Sequence, residues 1–235
     1  MKRTYLFCFT FVLLGNLISQ DNVIKYSDRT YLNLPEHSRI VSCLEQFDWY
    51  EDLKEKSSLV RIIERKLVSD HLEYDLYLPG RGRDFPLLIF LHGGSFIAGN
   101  KANLEMQLLG EAFALKGIAF ASIEYRTQAL SLLSMTDAGY LAIQDLAAAV
   151  SYFKVQSENY SISNQNIFVG GVSAGAIAAL NFTFLDEEEI IPDHYAFLDE
   201  KFGCLKCSHP AGSDLSIRGV VSINGGMNDP EIMAY

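Results

Sequence analysis

Across the second two-thirds of the chain, short unbroken apolar runs alternate with longer segments whose apolar residues recur every three or four positions. PLLIFL (86–91), IAFASIEY (118–125), NIFVGGV (166–172) and IRGVVSIN (217–224) are nearly uncharged through their middles. Runs of that length without polar alternation read as strands buried on both faces. Between them, NLEMQLLGEAFALKG (103–117) and AGAIAALNFTFL (174–185) read as helices, the first closed by Gly117. DAGYLAIQDLAAAVSYFKVQSENY (137–160) reads as one long helix. Buried strands alternating with helices predict an α/β domain, a mostly parallel sheet with helices on both faces.

Ahead of this region, LVRIIERKLV (59–68) and LEYDLYLP (72–79) predict two strands around a turn at Ser69-Asp70. Residues 21–56 are polar and read as irregular, apart from a short helix in DWYEDLKEK (48–56). Residues 186–216 break the rhythm with a long mixture of acids and aromatics, and read as an insertion forming a small cap or lid. With no internal repeat, residues 20–235 are expected to form one domain.

The start of the chain changes the picture of where the protein works. Lys2 and Arg3 precede LFCFTFVLLGNLI (6–18), and Ser19 follows as a small residue suited to cleavage. This predicts a secretory signal peptide over residues 1–19, too short to span a membrane. The expectation is a secreted protein with no stable membrane insertion after cleavage. The formal net charge is −10, and loss of Lys2 and Arg3 makes it more acidic. Such a surface repels nucleic acid. Beyond the leader stand Cys43, Cys204 and Cys207, and CLKC (204–207) suits a local disulfide in an oxidising compartment. A second cysteine pair for zinc is missing, and no phosphate loop or other cofactor motif is present. The chain is therefore expected to need no metal and no cofactor.

The candidate chemistry lies in two glycine-rich turns. Gly171-Val172-Ser173-Ala174-Gly175 fits G-x-S-x-G between a predicted strand and a predicted helix, as a nucleophile elbow requires. A serine on so sharp a turn needs small neighbours, and Gly171 and Gly175 supply the room. The turn also sets the N–H of Ala174 at a helix N-terminus, where it can face an anion. FLHGGSF (90–96) closes the first buried strand, and its Gly93 and Gly94 N–H groups are unobstructed by side chains. Donors of this kind, aimed at a developing oxyanion, are each worth roughly 10²–10³ in rate. His92 reads as a structural residue that orients this loop.

HGGSF, the EYR (124–126) after the following strand, and GVSAG together resemble the α/β-hydrolase fold, in its carboxylesterase and hormone-sensitive-lipase-like branch. The resemblance runs from about residue 59 to 225. It implies that Ser173 is the acylated nucleophile, with Gly93, Gly94 and the Ala174 amide as the oxyanion hole. It also implies a structural acid at Asp145. Ala176 departs from the family pattern, where many relatives carry another glycine, a mild change that leaves the elbow intact.

A serine hydroxyl needs a histidine to take its proton and an acid to orient that histidine. The resemblance places the acid after the seventh strand and the histidine after the eighth, whereas IRGVVSIN reads as the sixth. On that reading the sheet is incomplete at its C-terminal side, both partners lie beyond residue 235, and this chain alone is nearly inactive. Within the chain, His194 or His209 with Asp186, Asp193 or Asp214 is the alternative. The expected function is a secreted serine esterase acting on a small-molecule or polysaccharide-linked carboxylic ester. The competing reading is a catalytically incomplete relative that serves as a binding or adhesion module. Oligomeric state leaves no signature in the sequence.

Overall fold

The structure, a computed structural model, describes residues 23–33, 71–127, 135–185, 197–200, 202–206 and 214–226. In chain order the elements are β1 (Val23–Asn33), β2 (His71–Pro79), β3 (Phe85–Leu91), α1 (Leu104–Leu115), β4 (Ala119–Ile123), α2 (Met135–Val155), α3 (Ser157–Tyr160), β5 (Ile162–Val172), α4 (Ala174–Phe184) and β6 (Gly219–Ile223). The described strands form one sheet in the order β1-β2-β4-β3-β5-β6. β4, β3, β5 and β6 run parallel, while β2 is antiparallel to both β1 and β4.

The unbroken apolar runs are explained by packing on both faces. Leu87, Ile89 and Leu91 of β3 join one core with Leu146, Val150 and Phe153 of α2 and Ala178 and Phe182 of α4. Leu88 and Phe90, on the opposite face of the same strand, join a second core with Phe120 of β4 and Met106 and Ala114 of α1. Successive strand residues point to opposite faces, so a strand covered twice is apolar throughout. The predicted mostly parallel sheet with helices on both faces is what the chain forms.

Two sequence expectations change. Residues 23–33, read as irregular, form an edge strand of which Tyr31 is the one buried residue. An exposed edge with register shifts between Tyr26/Arg29 and Thr30/Leu32 has no alternation to detect. Its pairing with β2, together with that of β4, takes up both edges of β2. The run at 59–68, the turn at 69–70 and the segment 48–56 lie outside the described residues. The long helix predicted over 137–160 begins at Met135 and breaks at Gln156. Ser161, left-handed at φ 54°, then turns the chain into β5.

The expected insertion at 186–216 is described only in part, and those parts are anchored to α2. Tyr140 Oη lies within hydrogen-bond reach of the Asp199 carboxylate and, at 2.8 Å, of the Gly203 carbonyl, which share its one proton. The Gln144 amide faces the carbonyls of Phe202, Gly203 and Cys204 at 3.2, 2.8 and 2.9 Å. Cys204 is disulfide-bonded, to a partner outside the described residues. The segment 1–19, expected to be a leader, also lies outside them. No helix among the described residues is long and apolar enough to cross a membrane.

Candidate active site

Ser173 is the single residue between the end of β5 and the start of α4. Its backbone sits at φ 53° and ψ −117°, a conformation that costs an L-residue about 1–3 kcal/mol. The surroundings hold it there. Its N–H donates to the Ile223 carbonyl of β6 at 2.9 Å, and its carbonyl accepts the Ile177 N–H at 3.0 Å. The side chain makes no capping bond to α4, although serine at that position usually does. The hydroxyl is left exposed at the carboxyl ends of the parallel strands.

The small neighbours are a steric necessity. A Cβ on Gly171 would lie 2.3 Å from the Gly175 carbonyl carbon, and one on Gly175 would lie 2.4 Å from the Leu91 oxygen. The elbow is thus clamped between its own helix and the end of β3.

The HGGSF loop lies against it. A Cβ on Gly93 would stand 3.2 Å from the Val172 oxygen and 3.5 Å from Ser173 Cβ. Gly94 has φ +132°, and a Cβ there would collide with the Ala98 oxygen at 1.9 Å. The Gly94 carbonyl accepts the N–H groups of Ile97 and Ala98 at 2.9 and 3.0 Å, closing the turn. His92 is fully buried and sits 2.9 Å from the Gly93 carbonyl through Nδ1. In a trans peptide the N–H points opposite the carbonyl, so drawing the Gly93 oxygen toward His92 turns the Gly94 N–H away from it. Ala174 opens α4, where the first N–H groups have no intrahelical acceptor and the helix dipole is positive. The structure therefore brings Ser173, Gly93 and Ala174 together, with Gly94 next in the loop and His92 behind it.

Other residues that hold this loop carried no role in the sequence reading. Glu124 Oε2 faces His92 Nε2 at 3.3 Å, and its Oε1 accepts the Lys101 N–H at 3.0 Å. Tyr125 stacks on the His92 ring, with centroids 4.4 Å apart, and donates to the His92 carbonyl at 2.8 Å. The Lys101 ammonium is buried against Asp28 and, at 2.9 Å, Asp75, with Glu73 at 3.6 Å. Burial alone would lower its pKa, but the Asp28 and Asp75 carboxylates outweigh that and push it well above the usual lysine range. Glu124 and Tyr125 stood in the EYR triplet, which was the signal available for them. Its third member, Arg126, grips fully buried Asp145 through Nε at 2.9 Å and Nη2 at 2.7 Å, a structural pairing.

No base for Ser173 is found among the described side chains. Both ring nitrogens of His92 already face acceptors. His194, His209, Asp186 and Asp193 lie outside the described residues. Asp214 is described, 2.6 Å from Lys154 Nζ, and that lysine is the main reason its pKa is lowered to about 2. It precedes Arg218, whose N–H donates to Ile167 of β5, so it lies at the opposite end of the strands from Ser173. No cluster of three potential metal-binding side chains exists among the described residues.

A hollow of about 350 Å³, including its open mouth, lies at one edge of the contact between α2 and α4. Gly139, Ile143, Ile177, Asn181 and Leu198 contribute to its walls. Ile177 stands one helical turn beyond Ser173, and Leu198 comes from the 186–216 segment.

The family model described as BD-FAE matches residues 74–227. Gut esterase 1 of Caenorhabditis elegans is 26% identical over 117 residues, which is 48% of this chain and 21% of that protein. Its counterpart from Caenorhabditis briggsae is 26% identical over 104 residues, 43% of this chain and 18% of that protein. The chain thus spans about a fifth of the length of these relatives. The propionate-bound structure of the thermophilic esterase Est2 from Thermogutta terrifontis superposes with a TM-score of 0.50 at 17% identity. That superposition covers 69% of this chain and 53% of Est2, and it speaks to the fold alone.

Proposed function

The chain belongs to the BD-FAE family of α/β-hydrolase-type esterases, and from that premise we propose that Ser173 is the nucleophile of a carboxylic ester hydrolase. The observation that carries this reading is the exposed hydroxyl of Ser173, uncapped at φ 53° between glycines that tolerate no Cβ. A binding module has no need of that strained backbone.

In this reaction Ser173 Oγ attacks the ester carbonyl carbon while its proton passes to a histidine. The negative charge gathers on the former carbonyl oxygen, where the N–H groups of Gly93, Gly94 and Ala174 receive it. The tetrahedral intermediate collapses, the alcohol leaves with the proton, and water repeats the sequence on the acyl-serine to release the acid. No cofactor takes part in these steps. The histidine is assigned outside the described residues, where His194 and His209 of the 186–216 segment are candidates.

The substrate is proposed to be a small-molecule or polysaccharide-linked ester met outside the cytoplasm. The leader at 1–19 and the disulfide at Cys204 support that location. The hollow beside Ile177 is proposed to take one arm of the ester, with Leu198 setting its length. The test uses p-nitrophenyl esters of rising acyl length on the full protein that carries this sequence. Ser173→Ala should lower kcat by at least about 10⁴, and Leu198→Trp should shift preference toward short acyl groups. Turnover that survives Ser173→Ala would refute the assignment.

A further inference from the structure

Two N-x-S/T triplets occur in the chain, Asn159-Tyr160-Ser161 and Asn181-Phe182-Thr183. The pattern marks acceptors of N-linked glycans in exported proteins, provided the asparagine stands on the surface. The structure separates the two sharply.

Asn181 is inside α4, 6% exposed, and its amide donates to the Ile177 carbonyl at 2.8 Å. A sugar there would have to fit within the hollow between α2 and α4 whose wall Asn181 forms, on an amide that the helix already engages. Asn159 lies on α3, in the turn between α2 and β5, and both it and Ser161 are exposed. Its amide donates to Oε1 of half-buried Gln156 at 2.7 Å, an interaction at the surface that water can replace. Tyr160 between them turns the other way, its hydroxyl 2.7 Å from that of Tyr74 and its ring edge-on to Tyr26. The middle residue thus fastens the turn to the domain while the acceptor amide and the hydroxyl face solvent. α3 also precedes the amino end of β5, whereas Ser173 follows its carboxyl end, eleven strand residues away. β5 is irregular at its start, and its Ile162 and Gly171 lie opposite Phe85 and Leu91 of β3, so at about 3.3 Å per residue of β3 the two ends stand about 20 Å apart.

We infer that Asn159 is an N-glycosylation site, that Asn181 is not, and that the glycan stands clear of the catalytic face. The inference rests on the reading that the chain is exported. The donor class is a lipid-diphosphate-linked oligosaccharide. The Asn159 amide nitrogen bonds to C1 of the first sugar and loses a proton, and the lipid diphosphate leaves.

The test is translation of the full chain with endoplasmic-reticulum microsomes, scored separately for protection from protease and for a mass step removed by an N-glycosidase. Wild type should be protected and show one such step. Asn159→Gln and Ser161→Ala should both lose the step while staying protected, and Asn181→Gln should keep it. Asn159 and Ser161 are both exposed, so neither substitution removes a core side chain that keeps Asn181 covered. A protected chain without the step, or a step that disappears with Asn181→Gln, overturns the site. An unprotected chain overturns the export premise, and the inference with it.

Discussion

Glu124 Oε2 reaches the buried ring of His92 at 3.3 Å, while the other oxygen of the same carboxylate holds the Lys101 N–H at 3.0 Å. One side chain, directly after the end of β4, thereby fastens the HGGSF loop at His92 and the segment that follows it at Lys101. The loop's glycines give it room to present N–H groups, and Glu124 keeps it from using that freedom.

Glu124→Ala should therefore lower kcat about 10- to 100-fold with little change in KM, because misplacing a catalytic donor by about 1 Å costs on that order. Stability should fall by about 1–3 kcal/mol from the unsatisfied groups left behind. Glu124→Gln, which keeps one acceptor for Lys101, should recover part of both. Steady-state kinetics beside urea denaturation would check this. An unchanged kcat in Glu124→Ala would remove its positioning role.

Gly175→Ala and Gly226→Ala should differ in sign. At Gly175 the new methyl meets the Leu91 and His92 oxygens at 2.4 and 2.7 Å, and neither backbone can yield. A loss of about 1–3 kcal/mol or more is expected. At Gly226 nothing among the described residues lies within 4 Å and φ is not left-handed. There the smaller unfolded-state entropy of alanine should leave stability unchanged or raised by up to about 1 kcal/mol. Chemical denaturation of the two variants measures the difference.

Arg126→Met should cost about 3–5 kcal/mol, because it leaves fully buried Asp145 without its guanidinium. Arg126→Lys should restore only part, since a lysine cannot supply Nε and Nη2 together. Urea midpoints for the three proteins decide it. Equal stability of the methionine and wild-type proteins would contradict a structural role for the pair.

How much of this was legible in the chain depended on how many faces an element buries. β3 was readable because a packed core covers each of its faces. β1 was not, because an edge strand with one buried residue, Tyr31, has no periodic signal. The elbow was readable because backbone crowding at Gly171 and Gly175 excludes every other residue. Glu124 was visible as a letter but not as a clamp. Its two partners lie 32 and 23 positions earlier, and only the parallel pairing of β3 with β4 brings them together.

Alkaline pH should unfold the domain steeply. Burial pushes the phenols of Tyr31, Tyr74 and Tyr125 above the usual tyrosine range. Folded, they keep their protons at a pH where the unfolded chain releases them. Their contribution is fully present below about pH 10 and is lost as pH rises further, by about 1.4 kcal/mol per pH unit for each group. Denaturation between pH 8 and 11 should show that fall, and Tyr125→Phe should flatten it by one group's share. An identical slope in the variant would refute the assignment.

The central claim is that Ser173 carries the acyl group. Its most direct test is to treat the full folded protein that carries this sequence with a fluorophosphonate and locate the adduct by peptide mass. The expected result is a single adduct on the peptide containing Ser173, absent from Ser173→Ala. An adduct on another residue, or none in a protein that hydrolyses esters, would contradict the account.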